Sequence, residues 1–82
     1  MPNRLKTAQR IVGAKQTLKA VQGGRAKEVF VAQDADERVI RPIIELCTQN
    51  GIRVTEVSSM AELGKACSIE VGAAVAAIIE DN

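Results

Sequence analysis

Apolar positions along the chain switch between helical and strand-like periods, and the switches mark its elements. Leu5, Ala8, Ile11 and Val12 recur at helical spacing behind Asn3, whose side chain suits a helix cap, so a short first helix is predicted to end near Gly13. Ile11 and Val12 read alternatively as the start of a short edge strand. A second helix is predicted from Lys15 to Gln22, with Ala14, Leu18 and Val21 on one face, Lys15 and Lys19 on the other, and Gly23-Gly24 as its exit. Val29-Phe30-Val31-Ala32 is apolar on both faces, as a central strand covered above and below would be. After a turn at Asp34-Ala35-Asp36, the residues Val39, Ile40, Ile43, Ile44 and Cys47 repeat at three and four and predict a helix that Gly51 ends. Pro42 removes a backbone donor there, so regular helix is expected only from Arg41, after an irregular lead-in. Ile52 to Val57 reads as a strand, Ser59-Met60-Ala61-Glu62 as a capping box opening a helix through Cys67, and Ala73 to Ile79 as a last, almost wholly apolar strand.

Strands that alternate with helices and are apolar on both faces predict an α/β fold, a three-layer α-β-α sandwich around a small mixed sheet. Composition fits one such domain over residues 1–82, being 46% hydrophobic and 26% charged. A chain this short leaves little room for an enclosed active-site cleft, and its stability should be modest, on the order of 5 kcal/mol. Neither a signal peptide nor a membrane span is evident, so a cytoplasmic protein without membrane partners is expected. Cys47 and Cys67 fall inside helical patterns, with no histidine to complete a metal site, and read as reduced, buried thiols.

Charge changes the picture more than composition does. Arg4, Lys6, Arg10, Lys15, Lys19, Arg25 and Lys27 all precede the first acidic residue, whereas the rest of the chain holds four basic and ten acidic residues. A net charge of +1 therefore divides into +7 and −6. Such asymmetry suits a polyanion-binding face, although a solvated basic surface is the plainer reading.

Two segments carry chemistry. In Val12-Gly13-Ala14-Lys15-Gln16-Thr17-Leu18-Lys19 a glycine opens a helix whose first turns bear long polar side chains. Free N–H groups at a helix start attract phosphate, glycine permits close approach, and lysine neutralises charge. The second segment, Leu63 to Gly72, joins a helix to the last strand through a loop carrying Ile69, Glu70, Val71 and Gly72, whose apolar members read equally as plugs for the core.

In this order, with Val31-Ala32-Gln33-Asp34-Ala35-Asp36 between them, these segments resemble the kink-turn-binding ribosomal-protein family, most of all its compact bacterial YbxF-type members. The resemblance covers nearly the whole chain. It implies that the family's G-x-N-E-x-x-K motif falls on Gly13, Lys15, Gln16 and Lys19, with Lys15 and Gln16 standing where the archaeal-type motif has asparagine and glutamate. Gln16 keeps an acceptor and a donor suited to the edge of a guanine in a non-Watson–Crick pair. The family's second contact, a loop over extruded nucleotides, falls on Ile69, Glu70, Val71 and Gly72, preceded by Ser68 where a glycine is usual. The implied RNA-binding residues are thus Gly13, Ala14, Lys15, Gln16, Lys19 and that loop, and the implied partner is structured RNA containing a kink-turn, with the ribosome as one setting.

With no Trp or Tyr, and Phe30 in a buried strand, base stacking on aromatic rings is unavailable. That leaves recognition by RNA shape, phosphate contacts and polar groups. Histidine, phosphate-loop, nucleophile-elbow and paired-carboxylate signals are missing, so neither catalysis nor a cofactor is expected. Asp34 and Asp36 offer too few oxygens for Ca²⁺ or Mg²⁺ and read as turn formers. A monomer is expected; the rival reading, a structural or protein-interaction subunit on the same fold, predicts an oligomer without RNA affinity.

Overall fold

The computed structural model describes residues 9–79, so the helix expected behind Asn3 lies mostly outside the described residues. The elements run β1 (Arg10–Val12), α1 (Ala14–Gln22), β2 (Ala26–Ala32), α2 (Glu37–Gln49), β3 (Arg53–Val57), α3 (Met60–Ala66) and β4 (Val75–Ile79). Ile11 and Val12 thus belong to a strand, the alternative reading of their pattern. Their pairing partner is β4, more than sixty residues away, with Ile11 opposite Ala77. Local periodicity carries no trace of such a partner.

The sheet order is β1-β4-β2-β3, with β2 parallel to β3 and β4 antiparallel to both β1 and β2. The first three strands therefore run one way and β4 runs against them. Helices α1 and α2 pack on each other and cover one face, as right-handed crossovers between parallel strands require, while α3 packs on β2 and β3 from the other side. This is the expected three-layer sandwich with a mixed sheet. Phe30, Val29, Val31, Ala32, Leu63 and Val75 are fully buried between the layers.

Helix α2 corrects the expectation at Pro42. Regular helix begins at Glu37, because Asp36 caps it by accepting the Arg38 N–H at 2.9 Å. Pro42 sits inside the helix, where its missing donor would have served the Arg38 carbonyl. Both residues are exposed, so water can solvate that carbonyl. The buried stripe of α2 is Ile40, Ile43 and Cys47, narrower than the pattern suggested, with Val39 38% exposed. On α1 the buried face is Thr17, Ala20 and Val21, with Ala14 and Leu18 only partly covered. Strand β2 begins earlier than its apolar core and buries Glu28, whose carboxylate accepts the Thr55 hydroxyl at 2.7 Å. Strand β4 begins two residues later than Ala73, whose N–H is given instead to the Met60 carbonyl at 3.1 Å.

The strand directions sort the connections. The end of the sheet where β1, β2 and β3 finish carries the starts of all three helices and the long loop entering β4. The other end is closed by the short turns 23–25 and 50–52, in which Gly24 (φ 72°) and Gly51 (φ 68°) adopt the left-handed backbone that ends both helices. Among the described residues, no helix is long and apolar enough to cross a membrane.

Candidate nucleic-acid interface

Helix α1 starts directly from β1 with no intervening loop, and Gly13 makes the turn at φ 113° and ψ 149°. Its N–H donates to the Val75 carbonyl at 2.9 Å, so the helix start is pinned to the first residue of β4. Any side chain here would be strained by that φ, and its Cβ would fall 2.8 Å from Gln16 Oε1. The carboxamide of Gln16 therefore folds back over the bare glycine backbone. Gly13 supplies no capping side chain and the first turn holds no acidic residue, so the Ala14, Lys15 and Gln16 amides keep their attraction for an anion. Ala14 turns its methyl toward the core, whereas Lys15, Gln16 and Lys19 are exposed, with both lysines beside one shallow depression on the outer side of α1.

The second segment is built on α3. Ser59 caps this helix by accepting the Glu62 N–H at 3.1 Å, but only half of the expected capping box forms, since the Glu62 carboxylate takes the Ser58 hydroxyl instead. Asp34 reaches across from the β2–α2 loop and accepts the Met60 N–H at 2.8 Å, which ties that loop to the start of α3. At the far end, the Ser68 N–H bonds to the Lys65 carbonyl and the Ile69 N–H to the Gly64 carbonyl, both at 3.0 Å. That pair of bonds is a Schellman motif, which demands a left-handed residue after the cap, and Ser68 supplies it at φ 63°. The usual glycine is absent, yet its conformation is kept.

From Ser68 the chain folds back along α3. Ile69 packs partly against the core, consistent with its plug reading, while Glu70, Val71 and Gly72 are exposed. Val71 is 71% exposed, the most open large apolar residue among those described. Gly64 makes the fold-back possible: a Cβ there would meet the Val71 carbonyl oxygen at 2.2 Å. Gly72 lies as tightly on the other side, where a Cβ would stand 3.1 Å from Met60 Cβ. Sequence reading passed over Gly64 and Asp34 as contributors to this site; an isolated glycine inside a helical pattern was the available signal for the first.

The two segments therefore meet at the same end of the sheet, joined through Gly13 and Val75, with Gly72 three residues before Val75. The basic residues do not all gather there. Arg25 and Lys27 flank the start of β2, at the opposite end. Arg10 lies under the loop, its guanidinium donating to the Cys67 carbonyl from Nε at 3.1 Å and Nη2 at 2.8 Å, where it caps α3 and complements its dipole. Arg4 and Lys6 lie outside the described residues. Burial pushes the thiols of Cys47 and Cys67 above the usual range, for Cys67 against a smaller opposing pull from Arg10, and both are free.

The geometry defines a class: small mixed-sheet α/β domains that present a glycine-opened helix and an apolar loop side by side at one sheet end. Comparison with known proteins narrows it. Residues 1–82 match the ribosomal protein L7Ae/L30e/S12e/Gadd45 family, and the chain belongs to that family. It is 49% identical over 69 residues, 84% of each chain, to an RNA-binding protein of Caldanaerobacter subterraneus subsp. tengcongensis. It is 44% identical over 75 residues, 92% of each chain, to RNA-binding protein YbxF of Geobacillus stearothermophilus. Among solved structures, the Giardia lamblia 15.5kD RNA binding protein superposes with a TM-score of 0.85 at 30% identity, over 98% of this chain and 67% of that one.

Proposed function

We propose that this chain is an RNA-binding protein that recognises and stabilises kink-turns in structured RNA, ribosomal or ribosome-associated, without catalysis. The observation that carries the reading is the joining of the α1 start to the loop entering β4 by the Gly13 N–H to Val75 carbonyl bond. Two contacts of different chemistry stand side by side. The amides of Ala14, Lys15 and Gln16, with the Lys15 and Lys19 side chains, attract phosphates at the bend. Gln16 carries the donor and acceptor that can read a non-Watson–Crick pair, and Val71 offers an apolar cover for an extruded nucleotide. A continuous duplex has no extruded nucleotide and so satisfies only the first contact. Names of relatives as RNA-binding proteins and the family match over residues 1–82 support reading the whole chain as one such domain; that it acts as a cytoplasmic monomer is part of what we propose.

A ligand shifts a straight-to-kinked equilibrium only by its difference in affinity for the two forms. Energy transfer between dyes on the ends of a kink-turn RNA should rise on titration with the protein, without Mg²⁺, and filter binding should favour that RNA over a continuous duplex of equal length. Val71→Asp should reduce the rise while circular dichroism stays native. Binding with an unchanged end-to-end distance would leave only general attraction to the basic surface, and an oligomer with no RNA affinity would favour a structural subunit.

A further inference from the structure

At the sheet edge farthest from β1, strand β3 is unpaired on its outer side among the described residues, and a groove of about 480 Å³ runs between it and α2. Ile44 and the edge of Ile40 form its apolar floor over the buried Val31, and Glu37, Glu45 and Glu56 stand on its rim. Among the described residues one cation lines it, Arg41, and its guanidinium is tied to Glu37 at 3.0 Å. Glu56 accepts the Gln33 amide at 3.1 Å, and Glu45 has no hydrogen-bond or ion-pair partner among the described residues. Three carboxylates against one guanidinium give this groove a net charge of −2, which repels nucleic acid and attracts cations.

The backbone beside the groove adds a second kind of complementarity. The Val57 carbonyl accepts the Gln33 N–H at 2.8 Å, so by strand alternation Arg53, Thr55 and Val57 face β2. The peptide groups of Val54 and Glu56 therefore point outward, at an edge that a further strand can extend.

We infer that this groove docks an extended, arginine- or lysine-rich protein segment that sets an apolar side chain on Ile40 and Ile44 and its charges against Glu45 and Glu56. The groove shares no lining residue with the α1 start or the loop entering β4, so one molecule can hold RNA there and a basic protein segment along the β3 edge. It stands or falls independently of the RNA reading. Rim charges of this kind act mainly through steering and partner choice, with each exposed pair adding a modest increment.

The test is a titration of nitrogen-labelled protein with a short synthetic peptide alternating arginine and leucine, followed by NMR. Saturable shifts should concentrate on Val54 to Val57 and Ile40 to Glu45. Combining Glu45→Lys with Glu56→Lys should weaken the peptide about tenfold without lowering kinked-RNA affinity, which the added positive charge can only raise. Should that variant misfold, Glu45→Gln with Glu56→Gln removes the charge at nearly constant shape and should weaken binding in the same direction. Equal affinity for an arginine peptide of the same charge lacking leucine, shifts centred elsewhere, competition between peptide and RNA, or RNA itself binding in the groove would each overturn the inference.

Discussion

Ser68 shows how one residue can hold a conformation that its side chain disfavours. A non-glycine residue at left-handed φ is strained by about 1–2 kcal/mol, and here a two-bond helix cap holds it in place. Ser68→Gly should raise stability, read from the denaturation midpoint, by roughly 0.5–1 kcal/mol after the entropy of the unfolded glycine is subtracted. Because the loop path stays the same, RNA affinity should change little; a large gain or loss of binding would mean the loop had moved. Gln16 is the opposite case, a side chain predicted to matter to binding and little to stability. Gln16→Ala should weaken binding to a kinked RNA by about 1–3 kcal/mol and to a continuous duplex hardly at all. Equal losses on both RNAs would take it out of the specificity role.

Among the elements, the loop entering β4 depends on α3 more than on its own sequence. Gly64→Ala should improve intrinsic helix propensity yet lower stability by about 1–3 kcal/mol, since the new methyl has only the rigid Val71 backbone to push against. Kink-turn affinity should drop as well, because Val71 rides on the displaced segment. A stabilised variant with full binding would show that the loop is free of the helix. Such dependence explains what could be read in advance. The long apolar periods of α2 and β2 were legible because burial alone sets them, and Gly13 was legible because glycine at a helix start is a local signal. Strand β1 was legible only as an alternative to helix at Ile11 and Val12, since three residues become a strand only through a distant partner. Pro42 misled for a related reason: the rule counts one lost donor but does not see that Asp36 already caps the helix and that the deprived carbonyl faces water. Glu28, buried in β2, was invisible because Thr55 meets it from another strand.

At the scale of the molecule, the count of basic residues overstated the RNA-binding charge. Of the five cations among the described residues that precede the first acid, Lys15 and Lys19 lie on α1, Arg25 and Lys27 flank the start of β2 at the other end of the sheet, and Arg10 serves a carbonyl. Lys15→Glu should therefore weaken RNA binding and lower the slope of log affinity against log salt by about one unit, whereas Lys27→Glu, at the far end, should leave the slope nearly unchanged. Equal effects from the two would point to a diffuse field over the whole surface. Thermal transitions of both should stay close to the wild type, since both side chains are exposed.

The two short turns at the closed end of the sheet have a practical consequence. At Gly24 and Gly51 there is open space around the backbone, with no atom beyond the adjoining residues within 4 Å of an added Cβ, and neither turn contributes to the α1 start or the loop entering β4. They are natural grafting points. A few glycine and serine residues inserted after Gly51 should lower stability by about 1–2 kcal/mol, from loop-length entropy and the displaced Ile52 N–H to Cys47 carbonyl bond, and leave RNA affinity as it was. A fluorophore or a tethering peptide carried there would turn the protein into a reporter or an anchor for the RNA it binds, with the α1 start and the loop entering β4 untouched.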